Sequence, residues 1–445
     1  MTTKLNRRSL LTGSVALAAS GASVSSAAVQ SGSSAGPAHC PGATNSKELK
    51  ATAVFVPGYF PSSAYVAGHK TVDHPEMTTA MKASDKNRCL LSRIGMDGSV
   101  RQAVLPVAAH DVEIAPDGSI GLLCGFVRSS HIAFDPETLE VVERGRSVKK
   151  GWNGGGHAAF FADSKTVLIS ERAPRQSLRY NVQSHYGRVS IREPKSMKIL
   201  ESYSTHGIDP HDIRLVDDDR YLIIANYGSV IDKATGGFTA PRRVIEASIT
   251  VIETASGKLV DKQVTNSKDT ELRHLAAARR DAVFAIQARQ GDSKADARQN
   301  ADREVAYEAD ITASKDAAYL SAATLTWSGS HQSLRPMGDE QAGALMRHGL
   351  SIHYDGLHDQ VIASYPSTHR VMVFDPVSNE LLEIIDTSTM GLRYPCGVTF
   401  LPDGKHYAVT GYWENLFVFE RGTHRLVRDL CLYPLFFGHS HITAA

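Results

Sequence analysis

The sequence predicts an all-β fold: a seven-bladed β-propeller whose C-terminal strand closes the first blade. Three observations carry this prediction. First, a His or Cys is followed seven residues later by an acid in a turn, at His110 and Asp117, His211 and Asp218, His348 and Asp355, and Cys396 and Asp403. Second, each such run is followed by further short β-type runs, four per unit, and the unit recurs every 45 to 75 residues. Third, the two ends of the chain are incomplete in complementary ways.

Taken in order, residues 52 to 107 hold three strand-like runs, at 52 to 56, 89 to 94 and 100 to 105, with no inner strand before them. The six following units begin near His110, His157, His211, His274, His348 and Cys396. Their second strands are predicted at 120 to 126, 166 to 170, 221 to 225, 282 to 287, 360 to 364 and 406 to 410. A Pro-Asp-Gly type turn between first and second strands makes each pair a hairpin. Third and fourth strands are clearest at 131 to 135 and 139 to 142, and at 370 to 375 and 381 to 385. His274 to Asp281 keeps the spacing with a poorer turn, whereas His157 to Asp163 is one residue short and requires a bulge to keep its facing. The run 438 to 443 is a strand without a hairpin, so it is assigned as the missing inner strand of the first blade.

Composition narrows the function. Forty-eight Lys and Arg against 47 Asp and Glu leave a formal charge of +1, which argues against nucleic acid and anionic membranes as partners. No apolar run reaches a membrane-spanning length. Residues 1–28 read as a twin-arginine signal peptide, with Arg7 and Arg8 ahead of a weakly apolar stretch and small residues at Ser26, Ala27 and Ala28. The expected product is an exported, periplasmic, monomeric protein with a flexible linker at 29–50 and the propeller at 51–445. Five cysteines are too few for a disulfide scaffold, though enough for one or two bridges.

Nineteen histidines exceed common usage, roughly one residue in forty-five. In a propeller the inner strand of each blade starts on the face where the second strand ends. The predicted topology therefore gathers His110, His157, His211, His274, His348, Cys396 and His439 or His441 on one face as candidate metal ligands. It adds Glu171, Arg172, Asn226, Gln287 and Gln290, at second-strand exits, as candidate ligand contacts. The long insertions 228 to 243, 289 to 316 and 327 to 347 rim that face, the stretch 302 to 310 with a short helical tendency. Neutral imidazole suits iron, copper or zinc, and Cys396 keeps a soft donor at the repeated position. The competing reading has the histidines bracing the blades by hydrogen bonds alone. Gly151 to Gly156 precede no helix and do not form a phosphate loop, and no haem-attachment motif is present, so covalent c-type haem is not expected.

Several of these segments together resemble the periplasmic domain-of-unknown-function family 1513. They are Gly154 to Asp163 with Ser170 and Glu171, Thr205 to Asp212, Leu222 to Gly228, Leu272 to Ala276, and Gln287 with Gln290 and Gly291. The resemblance implies a secreted seven-bladed propeller, similar to YVTN-type propellers and to the haem-binding propeller of cytochrome-type nitrite reductase. It also implies periplasmic iron-uptake proteins as partners, and it implies no activity. The chain departs from the family pattern at Tyr227, where glycine is common, and in the charged loop after Gln290.

The function expected from these readings is a periplasmic binding module holding iron, copper or a metal-bearing ligand at the histidine face, in metal uptake. An oxidoreductase or electron-transfer protein using the same face, and a purely protein-interaction propeller, are the alternatives; whether it is an enzyme is left open.

Overall fold

Seven antiparallel sheets, each with four main strands, follow one another round a ring in this computed structural model. The structure describes residues 38–39, 49, 51–59, 88–109, 111–126, 128–174, 182–231, 242–290, 319–328, 333–411, 414–436 and 441–445. The first blade comprises Ala53–Tyr59, Cys89–Gly95 and Val100–Leu105, with Thr443–Ala444 as its innermost strand. The second is Val112–Ile114, Gly121–Leu123, Ser130–Phe134 and Val141–Arg146. The third runs Asn153–Phe160, Val167–Arg172, Tyr186–Arg192 and Ile199–Ile208, and the fourth Pro210–Val216, Tyr221–Asn226, Ser248–Glu253 and Leu259–Val264. The fifth contains Thr270–Arg279, Ala282–Gln290, Leu325–Ser328 and Arg335–Pro336. Ser351–Asp355, Gln360–Tyr365, Arg370–Phe374 and Leu381–Asp386 make the sixth. The seventh is Pro395–Phe400, His406–Gly411, Glu414–Glu420 and Leu432–Phe436, with Ala38–His39 added at its outer edge.

In most blades the acid of the turn works locally. Asp117, Asp163 and Asp403 accept backbone N–H bonds two residues on, from Ser119, Lys165 and Lys405 at 2.9, 2.9 and 3.0 Å. Asp135 and Asp375 do the same in the Asp-Pro turns between third and fourth strands, with Glu137 and Val377. These Asx turns explain why the repeat carries an acid there, since the side chain supplies a partner for backbone that the sheet leaves unpaired.

The core lies in the seams between blades. Phe55 and Leu91 of the first blade pack with Val112, Leu123 and Phe134 of the second, and Ile223 and Val251 of the fourth with Leu272, Val283 and Trp327 of the fifth. Outermost strands keep one covered residue in a largely exposed run, as in Val141–Arg146 and Leu381–Asp386. No helix among the described residues is long and apolar enough to cross a membrane. Of the insertions, Ser229–Ile231 pairs with Arg242–Val244 as a small ribbon, and 333 to 347 carries the helix Glu340–Leu345, capped by Asp339. The stretch 302 to 310 lies outside the described residues. Cys89, Cys124, Cys396 and Cys431 are buried, and burial pushes the thiols of the first two well up from their ordinary acidity. None of these four takes part in a bridge; Cys40 is outside the described residues.

Ring closure matches the sequence reading but is shorter than the predicted run 438 to 443. Thr443 pairs with Phe55 and Ala444 with Val54. Ala445 and Ala53 exchange backbone bonds of 2.8 and 2.9 Å. Ile442, 3% exposed, fills the seam between the first and seventh blades with Val54, Leu401 and Leu416. Ile442→Ala is therefore expected to cost about 2–5 kcal/mol. Urea denaturation of the variant checks this, and a loss under about 0.5 kcal/mol, the range of neutral surface changes, contradicts the seam packing.

His131, in the third strand of the second blade, is fully buried, and its Nδ1 accepts the Gly125 N–H at 3.2 Å. Burial, with the Arg192 charge second, pushes its pKa down to about 3. The unfolded chain takes up a proton there near pH 6.5 while the native state does not. Stability contributed by the neutral ring is thus full above about pH 6.5 and falls toward pH 3 by about 1.4 kcal/mol per pH unit. Chemical denaturation at pH 7 and pH 5 is expected to show a shallower pH slope in His131→Gln than in the wild type; equal slopes rule this origin out.

Candidate metal centre

Regular β pairing alternates side chains between faces, so a histidine reaches the centre of the ring only where the inner strand breaks its register. The breaks are present. In the fourth blade Pro210 pairs with Asn226 and Ile213 with Ile224, which leaves one extra residue at His211 and Asp212. The fifth blade repeats this between Leu272 and Leu275, at Arg273 and His274. In the third blade the interval from Gly154 to Ala158 faces only Glu171 to Ile169, which leaves two extra residues around His157. The bulge that the short His157 spacing required is thus in place. Glycines make it fit: a Cβ on Gly154 would stand 1.9 Å from the Gly125 carbonyl, and one on Gly155 2.3 Å from Ser170 Oγ.

The result is a buried group in which the ligating nitrogens of His157, His211 and His274 lie within 4.8 Å of one another. His157 Nε2 is 3.2 Å from His211 Nε2, and His211 Nε2 is 3.0 Å from His274 Nε2. His441, two residues before the closing strand, adds its Nε2 at 3.0 Å from that of His274. The four rings form a quadrilateral, with centroid separations of 4.4, 4.9, 4.3 and 4.9 Å along its sides. These residues are at most 8% exposed.

The outer nitrogens of two rings face acceptors. His157 Nδ1 stands 2.9 Å from Asp111 Oδ2 and 3.4 Å from Asp212 Oδ1, and His211 Nδ1 stands 2.5 Å from the Gly155 carbonyl. Carboxylates and carbonyls accept, so a proton on each Nδ1 would point at these partners and would leave the two Nε2 lone pairs facing each other. Facing lone pairs repel unless a cation lies between them. A tetrahedral ion with nitrogen ligands at about 2.0–2.1 Å has ligand–ligand edges of about 3.3 Å, close to the spacings seen here. Carboxylate and carbonyl partners behind the imidazoles are also the arrangement that orients metal-bound histidine.

Comparison with known proteins agrees with this fold. Residues 146–429 match the family described as "Protein of unknown function (DUF1513)". The chain belongs to the DUF1513 family. No curated protein matches the chain. Among solved structures, hydrazine synthase of Kuenenia stuttgartiensis is 14% identical with a TM-score of 0.51, covering 76% of this chain and 93% of that one. The structure of U3-55K is 13% identical with a TM-score of 0.48, covering 75% and 83%. At such identities the hydrazine synthase likeness concerns the fold alone.

The remaining candidates of this DUF1513 chain occupy different settings. His348, before the regular inner strand of the sixth blade, has φ of 53° and is buried outside the three-histidine group. Cys396 sits in a bulge of the seventh blade and is likewise outside that group. His110 and His439 lie outside the described residues. Glu171 is fully buried: Oε1 accepts from Arg192 Nη2 at 2.7 Å and Ser190 Oγ at 2.6 Å, and Oε2 accepts from the Val148 N–H at 2.6 Å. Asn226 Nδ2 donates to Thr250 Oγ1 at 3.1 Å, and its amide lies where a Cβ on Gly207 would come within 2.2 Å of Asn226 Cγ. Gln287 Nε2 donates to the Ala323 carbonyl at 2.7 Å, while Gln290 ends its strand. Arg172 packs on two rings that also contact His211, its guanidinium carbon 4.7 Å from the Phe126 ring centre and 4.8 Å from that of Tyr227.

Residues missed in the sequence are Asp111 and Asp212, with Phe126 and Tyr227. The signal for the first two was present, because His110-Asp111 and His211-Asp212 repeat the same dipeptide at blade starts. Glu171→Ala leaves the buried Arg192 guanidinium without its carboxylate and is expected to cost about 3–5 kcal/mol in a denaturant titration. A near-neutral result contradicts the buried pair.

Proposed function

We propose that this protein is a periplasmic propeller that binds one transition-metal ion, iron or copper, at the centre of its histidine face, in metal uptake or delivery. His157, His211 and His274 supply the ligands, and His441 stands beside them as a fourth nitrogen. The observation that carries the reading is the convergence of buried Nε2 atoms at 3.0 to 3.2 Å, with outer nitrogens set against Asp111, Asp212 and the Gly155 carbonyl. Bracing between blades would not require three buried imidazoles to converge on one point, whereas the nitrogens of His157, His211 and His274 lie within 4.8 Å of one another. An imidazole-only donor set suits borderline divalent ions, for which copper has the highest intrinsic affinity of the first-row series. The twin-arginine pattern at Arg7 and Arg8 supports export of a folded chain that can carry its ion across. The family resemblance supports periplasmic iron-uptake proteins as partners.

Metal analysis of protein purified from the periplasm, followed by titration of the stripped chain with copper and ferrous ions, tests the reading. About one ion per chain is expected, with affinity falling as pH drops because protons compete for the imidazoles. Metal at a hundred times its Kd is expected to stabilise the fold by about 2.7 kcal/mol, and His211→Ala or His274→Ala to abolish that gain. Less than about a tenth of an ion per chain, with no binding on titration, overturns the proposal.

A further inference from the structure

The four imidazoles at the centre are at most 8% exposed, so an ion reaches their nitrogens only when one of the segments that carry them moves. Those segments are not held alike. The inner strands that bear His157, His211 and His274 are paired to the next strand of their blade at five, five and seven positions. His441 precedes a strand paired at two, Phe55 with Thr443 and Val54 with Ala444, with the Ala445 and Ala53 backbone bonds beside them. Local opening costs more as more backbone bonds and buried apolar groups must separate, so the closing segment, 441 to 445, is the first of the four to lift.

The ties of that segment reach three blades and the centre. Thr443 Oγ1 donates to the Val112 carbonyl at 2.7 Å, the Ala444 N–H donates to Thr399 Oγ1 at 3.3 Å, and Ile442 is buried in the seam between the first and seventh blades. His441 is the tie to the centre, its Nε2 3.0 Å from that of His274 and its ring centroid 4.9 Å from that of His157. His441 and Ile442 are neighbours, so a movement that draws Ile442 from its seam also takes the fourth nitrogen away from the other three. An ion that meets four nitrogens with the segment down and three with it raised favours the closed ring. By linkage the closed ring then holds the ion more tightly.

We infer that residues 441 to 445 are a latch on the metal centre: the segment lifts to admit or release the ion, and the bound ion, through His441, holds it down. The inference rests on the metal reading above and adds how that site is loaded and emptied. Thr443 and Thr399 set how often the latch opens, and His441 is the residue that senses the ion.

Cobalt(II) and the full-length protein provide the test. Visible absorption follows loading of the stripped chain and release of the ion to excess EDTA. Thr443→Val removes the bond to Val112 and leaves all four imidazoles in place, and Thr399→Val removes the bond to Ala444 from the other side. Each is expected to speed loading and release alike, by about fivefold, with the Kd within about threefold of wild type, because a looser latch opens more often with or without the ion. Cobalt is expected to slow hydrogen exchange of a peptide containing residues 441 to 445 by roughly tenfold in the wild type, and to leave it unchanged in His441→Ala. A cooperative thermal transition checks that each variant is folded, and the wild-type exchange measurement needs no loosened variant. Wild-type rates in both valine variants, or faster release without faster loading, overturn the latch and leave the metal reading standing. So does exchange that cobalt leaves alone in the wild type, or slows equally in His441→Ala. Failure of cobalt to bind the wild type overturns both.

Discussion

Two residue pairs, Val54 with Ala444 and Phe55 with Thr443, close the whole ring. The four main strands of each other blade are continuous in sequence, so they meet without joining the two ends of the chain. The first blade instead joins the two ends of the chain, and its inner strand is only two residues long. What makes so short a strand hold is its side bonding. Thr443 Oγ1 donates to the Val112 carbonyl of the second blade at 2.7 Å, and the Ala444 N–H donates to Thr399 Oγ1 of the seventh at 3.3 Å. Ile442 adds apolar burial in the same seam. The segment that completes the fold is also the one that carries His441 to the other histidines, so the geometry of the centre is tied to closure.

The second device is the bulge. A sheet with strict alternation would place either His211 or Asp212 at the centre, never both, because neighbours face opposite ways. The extra residue at the start of the fourth blade places both on His157: His211 by its Nε2, Asp212 by a carboxylate oxygen. Asp212 is held there by the N–H groups of Ile213 and Leu275, at 2.8 and 2.9 Å. Leu275 belongs to the next blade, so one carboxylate links three successive blades and orients a ring that reaches the centre. Ser170 does comparable work with backbone, its hydroxyl lying 3.1 Å from the His157 carbonyl and 2.8 Å from that of His211.

The blades were legible in the sequence because the turn chemistry is local: an Asp that binds the backbone two residues on leaves the same mark at Asp117, Asp163, Asp355 and Asp403. Closure was legible because a lone strand at one end and a missing one at the other have a single solution in a ring. Which of the repeated histidines converge was less so. His157, His211, His274 and His348 look equivalent as blade starts, but only the first three lie in bulged strands, and bulges in the second and third of these leave no mark in the His-to-acid spacing. Glu171 and Asn226 were read by position as facing a ligand; Glu171 binds Arg192 inside the blade, and the Asn226 amide nitrogen donates to Thr250 while its Oδ1 closes no hydrogen bond. That depends on partners far along the chain, which spacing does not reveal.

The asymmetry of the centre follows from the same closing segment. The third, fourth and fifth blades each send a histidine inward, and the seventh has a bulge of the same form at Cys396 and Gly397. Yet a Cβ on Gly397 would stand 2.9 Å from Ile442 Cγ2 and 3.0 Å from its backbone nitrogen. The C-terminal segment therefore runs directly against the start of the seventh blade, and glycine is what permits the approach. With that space taken, Cys396 turns into a bonded corner, its carbonyl accepting from Ser364 Oγ at 2.5 Å. The donor that meets the three histidines from outside their blades is His441, one residue before Ile442. Among the described residues the Cys396 thiol lies outside the three-histidine group, and the segment that closes the ring sets an imidazole, His441, beside that group.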